Sequence, residues 1–259
     1  MSVQETEVPA PTVTPAASRT LPKVATASAT LRDVFIVTWA VPVEKLQALA
    51  PEGVTLERLP NSDGQLVGFV QLVFALRDDA RWSPLPALMG DDFHETTLQL
   101  LTRTDGERSA FVVAHFVGST QAAGTLTAFT RVVEEARFHV YIAGDPARQT
   151  FARLGIKLTT HAVQVHLRAE ACETPERTLI GSWHESVAFL TRFNRQLHLA
   201  RLSKEALSLF RTEHLPLTPC AARLTHQVVR PFDNLELGEP VLALYQAELP
   251  VTSLPIKRK

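Results

Sequence analysis

Between Phe93 and Val117 the chain reads as two β-rich runs joined by Thr104-Asp105-Gly106-Glu107. Asp-Gly between such runs is a strong turn signal, because the tight hairpin turn needs positive φ and glycine adopts it at no steric cost. An antiparallel hairpin is therefore expected from local sequence alone. Strand signals recur on both sides of it. Asp33 to Trp39 (DVFIVTW) is β-branched and aromatic, Val54 to Leu59 is a short strand, and Gln65 to Leu76 (QLVGFVQLVFAL) is long and almost continuously apolar. Arg77 to Asp92, with Pro84, Pro86 and Gly90, reads as a loop.

Further strands are expected at Arg137 to Ile142, Leu197 to Arg201, Leu207 to Arg211, Ala222 to Val229 and Val241 to Glu248. Lys157 to Ala169 reads as one more, with His161, Val163, Val165 and Leu167 on a single buried face. Pro42 to Ala50 has Val43, Leu46, Leu49 and Ala50 at helical spacing, with Pro51 closing it. Gln121 to Glu135 and Glu185 to Phe193 also read as helices. About ten strands in hairpins, with three or four helices and no βαβ alternation, predict an α+β fold: a mainly antiparallel sheet or barrel with a few packed helices.

Residues 1–28 are rich in Pro, Ala, Thr, Ser and Val and hold no aromatic side chain, so they read as a disordered tail. Residues 29–259 then form one domain. The chain carries 26 Lys and Arg against 27 Asp and Glu, a net charge of −1, which gives no electrostatic footprint for nucleic acid. Its two cysteines, Cys172 and Cys220, make no disulfide framework. Glu5 and Glu7 stand where a secretory signal wants cations, and the apolar runs are strand-length, so a cytoplasmic protein with no membrane span is expected.

Motif searches for chemistry fail. No Gly-rich phosphate loop, nucleophile elbow or HExxH occurs. His184-Glu185 is followed at the second ligand position by Ala188. His161 and His166, read on one strand, fall on opposite faces. No metal site and no cofactor are expected. Cys220 has His214 and His226 nearby in sequence, but a cysteine in this context reads first as a small buried hydrophobe.

The stretch LRDVFIVTWAVPVEKLQALAPEGVTLERL resembles the opening of acetoacetate decarboxylase-like proteins: an arginine, a strand, then a helix ending in a proline-containing turn. The stretch FLTRFNRQLHLARLSKEALSLFRTEHLPLTPCAARL resembles a YqjF-like family of the same superfamily. The resemblance implies roles for particular residues. Arg32 matches the arginine before the first strand, and Glu95 matches a pocket glutamate. A second pocket glutamate would fall near Val70 and is absent, while His214 matches a histidine of the YqjF-like pattern.

The decarboxylases need a lysine amine to form a Schiff base with the ketone, and a second lysine that lowers its pKa. They carry this pair at the end of the segment that resembles AAGTLTAFTRVV, where this chain has Thr130, Arg131 and Val132. Arginine cannot replace the amine, because its guanidinium is delocalised and always protonated. Lys23, Lys45, Lys157, Lys204, Lys257 and Lys259 all lie elsewhere. Schiff-base decarboxylation is therefore not expected.

The resemblance implies instead a pocket for a small-molecule ligand, an organic acid or ketone, with Arg32, Glu95, Arg131 and His214 as candidate binding residues. The alternative is a lysine-independent lyase, isomerase or hydrolase using Glu95 and a histidine. Structural roles stand beside these: Arg32 pairing with Asp33 or Glu57, Glu95 on a solvent-facing strand, and His214 holding the turn before Pro216. A homo-oligomer is implied by the resemblance only.

Overall fold

The computed structural model describes residues 26–83, 92–127, 130–145, 150–173, 178–199, 207–214, 216–230 and 232–256. Of the expected tail, residues 1–25 lie outside the described residues, and the next three already belong to a strand. In chain order the elements are β1 (Thr26–Pro42), α1 (Val43–Gln47), β2 (Thr55–Leu56), β3 (Arg58–Pro60), β4 (Leu66–Ser83), β5 (Phe93–Thr104), β6 (Glu107–Val117), α2 (Thr120–Leu126), β7 (Val133–Glu135), β8 (Arg137–Asp145), β9 (Thr150–Thr159) and β10 (Gln164–Ala171). Then follow α3 (Trp183–Thr191), β11 (Arg195–Leu199), β12 (Leu207–His214), β13 (Cys220–Arg230), a 3-10 turn at Phe232–Leu235 and β14 (Leu242–Ile256).

β1 reads as continuously apolar because both of its faces are buried. Phe35, Val37 and Trp39 turn to one side, and Val34, Ile36 and Thr38 to the other. β1 pairs with β4, β4 with β5, β5 with β6, β6 in parallel with β11, β11 with β12, β12 with β14, and β14 back with β1. This closed circuit leaves its main strands without a free edge, the barrel-like solution to unpaired strands. The first part of β14 pairs through Leu244 and Tyr245 with β13, which leads into a second antiparallel sheet in the order β13–β10–β9–β8.

Two apolar clusters hold these layers together. One joins Phe35, Trp39, Phe74 and Leu100 of the circuit to Ile156, Leu158 and Leu167 of the second sheet. The other joins Ile36, Phe69, Val117 and Leu244 to Leu126 of α2 and Leu190 of α3. The N-terminus of α3 is closed by a reciprocal cap: Glu185 N donates to Ser182 Oγ and Ser182 N donates to Glu185 Oε2.

Three expectations are corrected, two by long-range pairing and one by a local turn. Of the loop expected over Arg77 to Asp92, Arg77 to Ser83 is strand, because the first residues of β1 pair with it, Leu31 opposite Arg77 and Ser28 opposite Arg81, and residues 84–91 lie outside the described residues. The helix expected over Gln121 to Glu135 ends at Leu126, and β7 follows, taken up in parallel by β6. Its backbone is committed there, with His115 N donating to Val132 O at 2.8 Å. The strand expected over Lys157 to Ala169 is a hairpin. Thr160 Oγ1 accepts from Ala162 N at 3.1 Å and Val163 N at 3.0 Å, a side-chain-mediated turn that puts His161 outside both strands.

Candidate functional site

The hydrogen-bonded register of β4, β5 and β6 assembles three charged or polar side chains on one face. Ala75 lies opposite Glu95 and Arg77 opposite Phe93, so Arg77 and Glu95 are diagonal neighbours. Arg77 Nε donates to Glu95 Oε2 at 3.0 Å and Arg77 Nη2 donates to Glu95 Oε1 at 2.7 Å, a bidentate pair. His115 Nε2 lies 3.1 Å from Glu95 Oε2.

The third member arrives through a β-bulge. Near the turn Gln99 faces Val112, but beyond it Leu98 faces Ala114 and Thr97 faces His115. Val113 is therefore the extra residue. Were Val113 paired with Leu98 in a regular ladder, His115 would lie opposite Thr96, on the other face of the sheet from Glu95, because a one-residue slip reverses every side chain.

These residues line a cavity of about 100 Å³ together with Thr130, which follows α2, and His198 of β11. With liquid water at about 30 Å³ per molecule, the space suits a ligand of a few heavy atoms. Burial pushes the Glu95 carboxyl up, but the Arg77 guanidinium and the hydrogen bond from His115 outweigh it and hold the group down to about 2. Glu95 is thus an anion that can only accept, so the shared proton sits on His115 Nε2. Burial, and then the charge of His115, lower His198 to about 3, so it is a neutral imidazole. Its ring meets Phe210 edge-on at 5.3 Å, and its Nδ1, shut off from solvent, has no hydrogen-bond partner among the described residues.

Of the four residues expected from sequence, only Glu95 lines this cavity. Arg32 has a side chain 55% exposed and pairs with Asp78 at 2.6 Å. The register shift after Arg32, with Asp33 at φ 52° and held by Tyr245 Oη at 2.6 Å, takes the arginine away from the cavity. Arg131 is exposed, its backbone N donating to Leu199 O at 3.1 Å, while its neighbour Thr130 is buried in the cavity wall. His214 ends β12 opposite Val251 and lines a separate cleft with Glu213 and Pro216. Sequence reading missed Arg77, hidden in a segment taken for loop, and His115, whose one signal is a lone histidine inside FVVAHFV. His198 carried no local signal.

Neither described lysine reaches the cavity. Lys45 pairs with Glu236, and Lys157 lies on β9 in another groove. Lys23, Lys204, Lys257 and Lys259 fall outside the described residues.

The closed circuit with its attached antiparallel sheet is the acetoacetate decarboxylase-like fold. The chain superposes on the crystal structure of acetoacetate decarboxylase from Legionella pneumophila with a TM-score of 0.59 at 15% identity, covering 95% of this chain and 90% of that one. An acetoacetate decarboxylase-like enzyme from Sphingomonas wittichii superposes with a TM-score of 0.53 at 12% identity, covering 94% of each. The enduracididine biosynthesis enzyme MppR, complexed with the condensation product of pyruvate and imidazole 4-carboxaldehyde, superposes with a TM-score of 0.52 at 14% identity, covering 93% and 90%. No protein-family model matches the sequence, and no curated protein matches it. Among the described residues no helix is long and apolar enough to cross a membrane.

Proposed function

We propose that the chain is an acetoacetate decarboxylase-like protein of the YqjF-like branch that binds a small organic acid or ketone in the Arg77–Glu95–His115 cavity, without a Schiff-base lysine. Thr130 carries this reading. By the sequence resemblance it stands where the decarboxylases begin their lysine pair, and it lines the cavity with a hydroxyl in place of an amine. The ligand's oxygens then accept from Arg77 and from the Thr130 hydroxyl, and His198 offers its unpartnered ring nitrogen. On this reading the protein works in the cytoplasm, without a cofactor and as a homo-oligomer.

The test is a thermal-shift screen against small keto acids, diketones and short fatty acids, with borohydride added and intact mass read afterwards. A raised melting temperature without a mass adduct supports the lysine-free cavity. An adduct that disappears in Lys23→Ala or Lys204→Ala overturns it.

A second reading, lysine-independent proton transfer, draws on the Glu95–His115 contact at 3.1 Å. Glu95 at about 2 is too acidic to serve as the base near neutrality. It instead fixes the tautomer of His115, whose Nδ1 becomes the candidate base, in the manner of a carboxylate–histidine dyad. Exchange of a bound ligand's α-hydrogens for deuterium, lost in His115→Gln while binding persists, separates this reading from simple binding.

A further inference from the structure

The outer face of the second sheet carries a charge pattern that the cavity does not use. Strand register arranges it in rows. His139 of β8, Lys157 of β9 and His166 of β10 lie side by side. The next row is Tyr141, Gly155, Arg168 and His226, and the next brings Arg153 beside Glu170 and Arg223. Alternate residues, such as Leu154, Ile156 and Leu167, point inward to the core, so these rows share the outward face.

The rows enclose a groove of about 510 Å³, within the roughly 300–1,000 Å³ usual for small-molecule sites. Its floor is bare at Gly155, where an added Cβ would meet nothing within 4 Å. Tyr141 flanks the glycine and is 63% exposed, unusual for a large ring in a chain whose other aromatic side chains are mostly covered. Glu170 is paired with Arg223, while Arg153, Lys157 and Arg168 have no carboxylate partner among the described residues. The His166 and His226 rings lie 4.6 Å apart between them. Burial, then the charges of His226, Arg168 and Lys157, hold His166 below its ordinary range, a sign of the same positive potential.

We propose that this groove binds a nucleoside phosphate, with the phosphate on Arg153, Lys157 and Arg168 and the base against Tyr141. The groove and such a ligand are complementary in charge and shape. Arg153, Lys157 and Arg168 share one face whose carboxylate, Glu170, is taken up by Arg223, so they repel one another and a phosphate neutralises them. A guanidinium suits its oxygens in a bidentate fork and an ammonium suits it as a point charge. An exposed tyrosine on a bare sheet surface is a stacking platform for a planar ring. A free mononucleotide and a nucleotide within a single strand share this chemistry. The site is independent of the cavity on the other side of the core.

The test is calorimetric titration of the full chain with ADP, pyrophosphate, adenosine and a short single-stranded oligonucleotide. ADP is expected to bind, more weakly as salt rises, with pyrophosphate weaker and adenosine not saturating. Gly155→Leu fills the groove, and Lys157→Gln with Arg168→Gln removes its charge. Each is expected to weaken ADP by about tenfold or more. Tyr141→Ala is expected to weaken ADP and leave pyrophosphate unchanged. An oligonucleotide much tighter than ADP identifies a strand as the source, and equal affinities identify the free nucleotide. Failure of ADP to saturate overturns the proposal. So does wild-type ADP affinity in Gly155→Leu, or in the Lys157 and Arg168 double variant whose unfolding transition matches the parent.

Discussion

Arg77 grips Glu95 with two parallel hydrogen bonds, at 3.0 and 2.7 Å, and His115 completes the acceptor shell of the same carboxylate at 3.1 Å. All three side chains are largely covered, at 19%, 8% and 10% exposure. The carboxylate is thus the electrostatic centre of the cavity and not its reactive group. Its removal leaves a buried guanidinium without a counter-charge. Glu95→Gln is expected to lower unfolding free energy by about 3–5 kcal/mol, the range for breaking a buried pair from one side. Urea denaturation at neutral pH measures it.

The same pair sets an acid limit. Glu95 titrates at about 2 in the folded chain against an ordinary 4.5, so the unfolded chain binds the proton more readily. Its contribution is complete above pH 4.5 and is lost as pH falls toward 2. Glu95→Gln is expected to flatten stability against pH across that window. An unchanged slope would show that other carboxylates set the acid limit.

His198 acts in a higher window. Its folded value of about 3 lies below the ordinary 6.5, so the buried neutral ring contributes stability that is full above 6.5 and declines as pH falls. His198→Phe, which cannot protonate, is expected to reduce the loss of stability between neutrality and pH 5. Melting temperature followed over that range in both proteins decides it.

Ligand affinity divides the two arginines. Arg77→Ala is expected to weaken a small carboxylate by about 1.5–3 kcal/mol, as for a charged hydrogen bond. Arg32→Ala, with its side chain half-exposed on Asp78, is expected to leave affinity unchanged. Parallel titrations with the best ligand of the thermal screen compare them.

A polar thread runs along the same face of β4 and β5 as the Arg77–Glu95 pair, since Gln71 lies opposite Gln99 in the register that sets Ala75 opposite Glu95. Gln71 Nε2 donates to Thr38 Oγ1 at 2.9 Å and to Leu190 O at 3.1 Å, and Gln71 Oε1 accepts from Gln99 Nε2 at 2.7 Å. Gln71→Leu strands three buried partners and is expected to cost about 1–3 kcal/mol for each group left unsatisfied. Hydrogen exchange at α3 is expected to rise with it, because Leu190 loses its tie to β4.

The strands themselves were legible in the sequence because period-two and β-branched runs record which residues a sheet buries, and the Asp105-Gly106 turn dictated one hairpin locally. The resemblance pointed to Glu95 and Arg131; Glu95 lines the cavity, but there Thr130 stands in the wall while its neighbour Arg131 is exposed. What failed depended on partners distant in sequence, apart from the local Thr160 turn that splits Lys157 to Ala169 into a hairpin. Arg77 became strand only because the start of β1 pairs with it, and the expected helix to Glu135 stopped early because β6 claimed β7. His115 reached Glu95 only through the extra residue Val113, which no local pattern announces. Sequence alone determined the α+β class, since that follows from residue type and spacing, while the lack of a lysine at the decarboxylase position is what the resemblance implies. Tertiary structure decided which arginine and which histidines meet the glutamate, since that depends on register, and register is set by hydrogen bonds between strands far apart in the chain.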